Sequence, residues 1–218
     1  MPPRALDPRG IILVDKPAGP TSFDIVALVR RRTGARTGHA GTLDPFATGL
    51  LLLLSGAATS LQPRFVGLPK RYLTEIDLSS RTSTGDPEGE TVEEHEPPGR
   101  AELEERLDGL RGTVELPIPA ASAVKIAGER AYKLHRRGVV VEMPVRRTTV
   151  HELLLEDYAD GLVRLDLLVS SGTYVRSLAE ALDGHCRTLR RIEIGPFSVG
   201  EADPEHVIAP DEALARLA

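Results

Sequence analysis

Apolar and polar positions are unevenly spaced along this chain, and the spacing separates its elements. The run Gly10-Ile11-Ile12-Leu13-Val14 is continuously apolar and is closed by Asp15-Lys16-Pro17-Ala18-Gly19-Pro20, which predicts a buried strand followed by a turn. A helix follows. Thr21 or Ser22 can cap it, Ile25, Val26, Leu28 and Val29 give it an apolar face, and an arginine run with Gly34 closes it. The stretch from Gly34 to Gly49 is rich in turn residues. Beyond it, Arg71 to Ser79 alternates as a strand does, Ala101 to Leu110 reads as an acidic helix and Glu129 to Arg137 as a short basic one. Strands are expected at Thr148 to Glu156 and Leu162 to Ser170, a helix at Tyr174 to Leu182, extended chain at Arg191 to Val199, and a last helix at Pro210 to Ala218 with its proline near the start. Asp86 to Gly99 is the best candidate for a mobile loop, and no repeat or interdomain linker is visible. The regular strand-helix alternation of a doubly wound parallel sheet is missing, so the predicted class is α+β with a mixed or antiparallel sheet.

Length and composition narrow the field. With 218 residues, 41% hydrophobic and 27% charged, the chain is expected to be soluble and globular, as one large domain or two small ones. The longest apolar run, Leu50 to Leu54, is far short of the roughly 20 residues that span a bilayer, so no transmembrane helix or membrane partner is expected. Met1 to Asp7 lacks the apolar core of a secretory signal, which makes the cytoplasm the default location. A single cysteine, Cys186, excludes an internal disulfide and paired-cysteine zinc sites, and reads as a buried, inert thiol. The histidines at 39, 95, 135, 151, 185 and 206 show no ligand spacing on one element, and no nucleotide-type phosphate loop is present, so neither a metal nor another cofactor is expected.

The net charge of −5 argues at first against a nucleic-acid partner, but the average conceals a segregation. From Asp86 to Asp108, ten acids face only Arg100 and Arg106, a local net of −8. Basic residues gather elsewhere: Arg30, Arg31, Arg32 and Arg36, then Lys125, Arg130, Lys133, Arg136, Arg137, Arg146 and Arg147, then Arg187, Arg190 and Arg191. Three such clusters with the acids sorted away favour a polyanion-binding face.

The chemistry concentrates in Gly38-His39-Ala40-Gly41-Thr42-Leu43-Asp44-Pro45-Phe46-Ala47-Thr48-Gly49-Leu50. Glycines at 38, 41 and 49 permit positive φ or close approach, and Pro45 biases Asp44 toward an extended backbone, so a carboxylate is presented from a stiff turn. An Asp-Pro pair alone is usually only a turn. This whole segment, however, closely resembles the active-site motif of the TruB family of tRNA pseudouridine synthases, the pseudouridine-55 enzymes. Other stretches in the family's order strengthen the resemblance: Asp15-Lys16-Pro17-x-Gly19, Lys70-Arg71-Tyr72, Arg81-Thr82-x-Thr84-x-Asp86-x-x-Gly89, Ser122-Ala123-Val124-Lys125-x-x-Gly128-x-x-x-Tyr132, Ser171-Gly172-Thr173-Tyr174-Val175-Arg176-Ser177 and Leu189-Arg190-Arg191. It runs from about residue 10 to 200.

The resemblance implies the pseudouridine synthase fold, with a central mixed and largely antiparallel sheet flanked by helices, in one catalytic domain over 1–218. The implied reaction detaches a T-loop uracil of tRNA from C1' of its ribose, rotates it and rejoins it through C5. Asp44 would attack C1' or stabilise the sugar cation, or else add to the uracil ring. Arg176 would pair with Asp44 and hold it ionised. Tyr72 would stack on the flipped uracil and help remove a proton, while His39 would fill the space the base leaves. Tyr174 and Leu189 would line the uracil pocket. A basic insertion at about 119–147, including Lys125, would grip RNA phosphates, with contributions from Lys16 and Arg190. The implied partner is the T-arm of tRNA and the expected state a monomer.

Three features depart from the family pattern. The sequence ends at Ala218, where relatives commonly continue into an RNA-binding domain of the PUA type, so that domain is expected to be missing. The segment Asp183-Gly184-His185-Cys186 replaces a longer glycine-rich loop. Pro119-Ala120-Ala121-Ser122-Ala123 has no aromatic where many relatives place one. Two other readings stand beside the enzyme: a tRNA-folding chaperone in which catalysis is secondary or lost, disfavoured by the intact Asp44, Tyr72 and Arg176, and a related enzyme on another RNA or a nucleosidase cleaving the same bond.

Overall fold

The computed structural model describes residues 9–217, so Met1 to Pro8 and the terminal Ala218 lie outside the described residues. The strands are β1 (Gly10–Lys16), β2 (Thr37–His39), β3 (Thr48–Ser55), β4 (Lys70–Asp77), β5 (Ser80–Thr82), β6 (Thr91–Glu94), β7 (Gly112–Pro117), β8 (Lys125–Ile126), β9 (Glu129–Arg130), β10 (Val145–Ala159), β11 (Leu162–Val169), β12 (His185–Ile194), β13 (Phe197–Ser198) and β14 (Asp203–Ile208). The helices are α1 (Ser22–Thr33), α2 (Gln62–Val66), α3 (Arg100–Asp108), α4 (Ala131–Arg136), α5 (Val175–Ala181) and α6 (Pro210–Ala215). The class is α+β, and its sheet is mixed and mostly antiparallel, as expected. Two compact units are present among the described residues: one holds residues 9–73, Ser170–Gly172 and residues 189–217, and the other holds Thr74–Val169 and Thr173–Thr188.

In the first unit the strand order is β14-β1-β3-β12 (from Leu189 onward), with β2 beside β3 and β13 beside β12. β1 and β3 pair antiparallel from Gly10 opposite Ser55 to Lys16 opposite Gly49. Because side chains alternate across a strand, the uninterrupted leucine run of β3 feeds two cores. Leu50, Leu52 and Leu54 pack with Ile11, Leu13, Phe65, Phe197 and Ala213, while Leu51 and Leu53 pack with Ile12 and with Ile25, Val26 and Val29 of α1. Of the two cap candidates, Thr21 caps α1, closed into a capping box with Asp24, and Gly34 ends the helix in the left-handed conformation.

In the second unit the order is β4 (from Thr74 onward)-β11-β10-β7, antiparallel between β10 and its partners β11 and β7. The alternation expected at residues 148–156 extends further, since β10 runs from Val145 to Ala159. The helices α3 and α5 bury Leu103, Leu107, Val175, Leu178 and Ala179. The stretch read as a mobile loop is partly built instead: Asp86 is buried, and β6 pairs with β5. Its acidic and glycine-rich composition concealed a short hairpin whose partner strand carries the polar residues Ser80, Arg81 and Thr82. The expected start of extended chain at Arg191 is also late, because β12 begins at His185. Gly184 explains the tight entry: a Cβ there would lie 2.4 Å from the carbonyl oxygen of Asp77.

Candidate active site

Asp44 sits in the connection from β2 to β3, in a turn where the Ala47 amide donates to the Asp44 carbonyl at 3.2 Å. Proline at the second position suits that turn, and the neighbours tie it down. The buried Ser22 hydroxyl, on the first residue of α1, donates to the Leu43 carbonyl at 2.9 Å and accepts from the Leu43 amide at 2.8 Å. Both backbone groups of the residue before Asp44 are therefore satisfied by one side chain. The Gly19 amide donates to the Pro45 carbonyl at 2.8 Å. Lys16 is fully buried, and its ammonium donates to the carbonyls of Pro17, Pro45 and Ala47 at 2.9, 3.2 and 2.7 Å. That placement makes Lys16 a buried clamp on the turn that carries Asp44.

β12 runs parallel to β3, with Arg190 opposite Thr48 and Arg191 opposite Gly49. This pairing depends on glycine at 49, because its φ is +102° and a Cβ would lie 2.2 Å from the Arg191 carbonyl oxygen. Leu189 is buried, whereas Arg190 is half-exposed and pairs with Asp15 at 2.7 Å, which holds its guanidinium charged. Arg191 turns inward. It donates through Nε to the Leu50 carbonyl at 2.8 Å, through Nη2 to Gly41 at 3.0 Å, and through Nη1 to Thr42 at 3.4 Å and the Tyr72 hydroxyl at 3.5 Å. Tyr72 and Lys70 point to the buried face of β4. The Lys70 ammonium donates to the Val66 and Leu68 carbonyls, both at 2.5 Å, and to Ser171 Oγ at 3.4 Å. Burial, and secondarily Arg191, lowers the Lys70 pKa to about 8. The same two causes in the same order push the pKa of the half-buried His39 below its ordinary value, so its ring is neutral near pH 7. His39 Nδ1 is buried with no hydrogen-bond partner.

The second unit holds Arg176 on α5, only 2% exposed. Its guanidinium donates to the Thr84 carbonyl at 2.8 Å and the Ala121 carbonyl at 3.1 Å, and lies 3.4 Å from Asp86. Asp86 in turn accepts from Thr84 Oγ1 at 2.5 Å and from the Glu88 amide at 3.0 Å. Tyr174 caps α5 with the Arg146 guanidinium 5.6 Å over its ring. Lys125, on the β8-β9 hairpin, is exposed, as are Lys133, Arg136 and Arg137 of the segment expected to grip RNA.

The sequence reading missed Ser22, Asp86 and Arg191 as site-building residues. A serine near a helix start reads as a cap, and an arginine within a basic run reads as surface. The one available signal for Asp86 was its place in the Arg81 to Gly89 motif.

The description "TruB family pseudouridylate synthase (N terminal domain)" matches residues 30–175. Among curated relatives, a protein named tRNA pseudouridine synthase B from Mycobacterium sp. (strain KMS) is 41% identical over 219 aligned positions, covering 94% of this chain and 74% of the relative. A protein of the same name from Leifsonia xyli subsp. xyli (strain CTCB07) is 42% identical, covering 94% of this chain and 73% of its own. Among solved structures, the crystal structure of a Cbf5-Nop10-Gar1 complex aligns with a TM-score of 0.68 at 24% identity, over 88% of this chain and 50% of that one, a likeness of fold.

Proposed function

The chain belongs to the TruB family of pseudouridylate synthases, and we propose that it isomerises the T-loop uridine of tRNA (position 55) to pseudouridine, with Asp44 as the catalytic carboxylate. The observation that carries the assignment to Asp44 is the immobilised loop. A carboxylate on a turn held by Ser22, Gly19 and Lys16 is kept in one geometry, and a fixed near-attack position supplies a large part of such a barrier reduction.

The chemistry needs the uridine out of the stack, which costs a few kcal/mol that new contacts must offset. Asp44 then acts at C1' of the ribose or on the uracil ring, and the base turns and rejoins through C5, so nothing enters or leaves. Tyr72 stacks on the base and serves in proton removal. His39 fills the vacated space, a part supported by its neutral ring and the unpaired Nδ1, which suit packing and hydrogen bonding rather than phosphate contact. Arg176 keeps Asp44 ionised. Its burial and its three fixed acceptors support a pre-oriented guanidinium over a solvated one. Tyr174 and Leu189 line the base pocket, and exposed Lys125 with the cations of 119–147 grips the T-arm phosphates, helped by Arg190. Both units serve one catalytic domain, working as a monomer in the cytoplasm without a cofactor.

The test incubates the purified protein with an unmodified tRNA transcript in the presence of a chelator and maps pseudouridine by chemical labelling and reverse-transcription stops. One stop at the T-loop uridine is expected, and none with Asp44→Asn, which should still fold and bind tRNA. Binding by the wild type without any stop would replace the enzyme reading with that of a tRNA chaperone.

A further inference from the structure

Arg191 is the least expected residue of the first unit. It is 1% exposed, and among the described residues no carboxylate lies within ion-pair distance of its guanidinium. Leaving a cation without a counter-charge in the interior costs several kcal/mol. A second buried cation, Lys70, lies near it: the Arg191 Nη1 and the Lys70 Cε are 3.5 and 3.8 Å from where a Cβ on Gly41 would be. Mere packing explains neither the charge nor its direction. The acceptors do explain the direction. Gly41 and Thr42 are the residues leading into Leu43 and Asp44, Leu50 begins the leucine run beyond the turn, and Tyr72 lies on a different strand. A planar guanidinium has five donors in a fixed fork and can hold several carbonyls at once, which an ammonium cannot do with the same geometry.

We infer that Arg191 is a positioning residue for uridine isomerisation: its fork sets the backbone entering the Asp44 turn and the hydroxyl of Tyr72 relative to one another. The inference rests on the proposed roles of Asp44 and Tyr72. Arg191 touches no reacting atom. It acts by coupling two groups that arrive from separate strands, and the glycine at 49 lets β12 come close enough to deliver it.

The test compares wild type, Arg191→Met and Arg191→Lys on an unmodified tRNA transcript, each in the native and the Tyr72→Phe background. It reads the single-turnover rate of pseudouridine formation and the Kd for tRNA by filter binding. In Arg191→Met the rate should fall about 100-fold, the size of effect an ångström of misplacement produces, while Kd stays within about threefold. Arg191→Lys, which keeps the charge without the fork, should lose about tenfold with Kd likewise unchanged. In the Tyr72→Phe background the further loss should be several-fold smaller, because one of the two coupled groups is already gone. Rates within about threefold of wild type, rate and affinity falling together, or losses that multiply fully across the two backgrounds would each overturn the inference. If Arg191→Met does not fold, Arg191→Lys is judged by the same three readouts. A wild type that makes no pseudouridine would instead sink the proposed function.

Discussion

Two arginines, each almost entirely buried, anchor the two compact units in opposite ways. Arg176 faces a carboxylate, Asp86, that is itself fixed by a hydroxyl and an amide. Arg191 faces three carbonyls and a phenol. The first arrangement sets a carboxylate and two carbonyls around the guanidinium and fixes its orientation. The second places a guanidinium with no carboxylate among its acceptors in the described residues next to the turn that carries Asp44, where burial first and the Arg191 charge second depress the pKa values of Lys70 and His39. The two buried guanidiniums thus differ in their acceptors, a carboxylate with two carbonyls for one and three carbonyls with a phenol for the other.

The largest effect is expected from breaking the Arg176–Asp86 pair. Asp86→Ala removes a buried carboxylate beside the Arg176 guanidinium and should lower unfolding free energy by about 3–5 kcal/mol in urea titrations, whereas Asp86→Asn, which keeps the hydrogen bonds, should cost less. A loss under 1 kcal/mol would show that Arg176 is not dependent on Asp86. The region around Arg191 should reveal itself through pH. The folded pKa of Lys70, about 8, lies below its ordinary 10.5, so the unfolded chain binds more protons between these values. Stability should therefore rise as pH goes from about 8 to about 10.5, by about 3 kcal/mol at most, and Lys70→Met should flatten that rise in a comparison of urea midpoints. Ser22→Ala leaves the Leu43 amide and carbonyl without their partner and should cost about 1–3 kcal/mol, with a slower single-turnover rate. At the small end, removing the exposed Arg190–Asp15 pair with Arg190→Ala should change stability by less than about 1 kcal/mol. Any loss of tRNA affinity in that variant should shrink as salt rises.

The local grammar of the chain was readable. The Thr21 cap and Gly34 stop of α1 follow from side-chain oxygen and positive φ, requirements that a few neighbouring residues meet on their own. The buried β1, the helices α3 and α5 and the alternation of β4 and β11 are legible for the same reason. The motif around Asp44 was visible too, as were two of its permissive glycines, since 41 and 49 do adopt positive φ while 38 does not. The short hairpin of β5 and β6 was not legible, because its pairing is between polar segments with no hydrophobic period.

Residue types, element identities and the motif that marks the family were therefore determined by the sequence itself, since each depends on interactions within a few positions. What only the tertiary structure decided is the partner of each charge. Lys16 and Arg190, both expected at RNA, differ because one lies under a turn 29 residues away and the other beside Asp15 at the surface. Arg191 reaches Gly41 across 150 residues and Tyr72 across 119. Whether a cation is solvated, paired or buried among carbonyls is set by desolvation and by acceptors brought in from distant strands, and no local pattern encodes which carbonyls those will be.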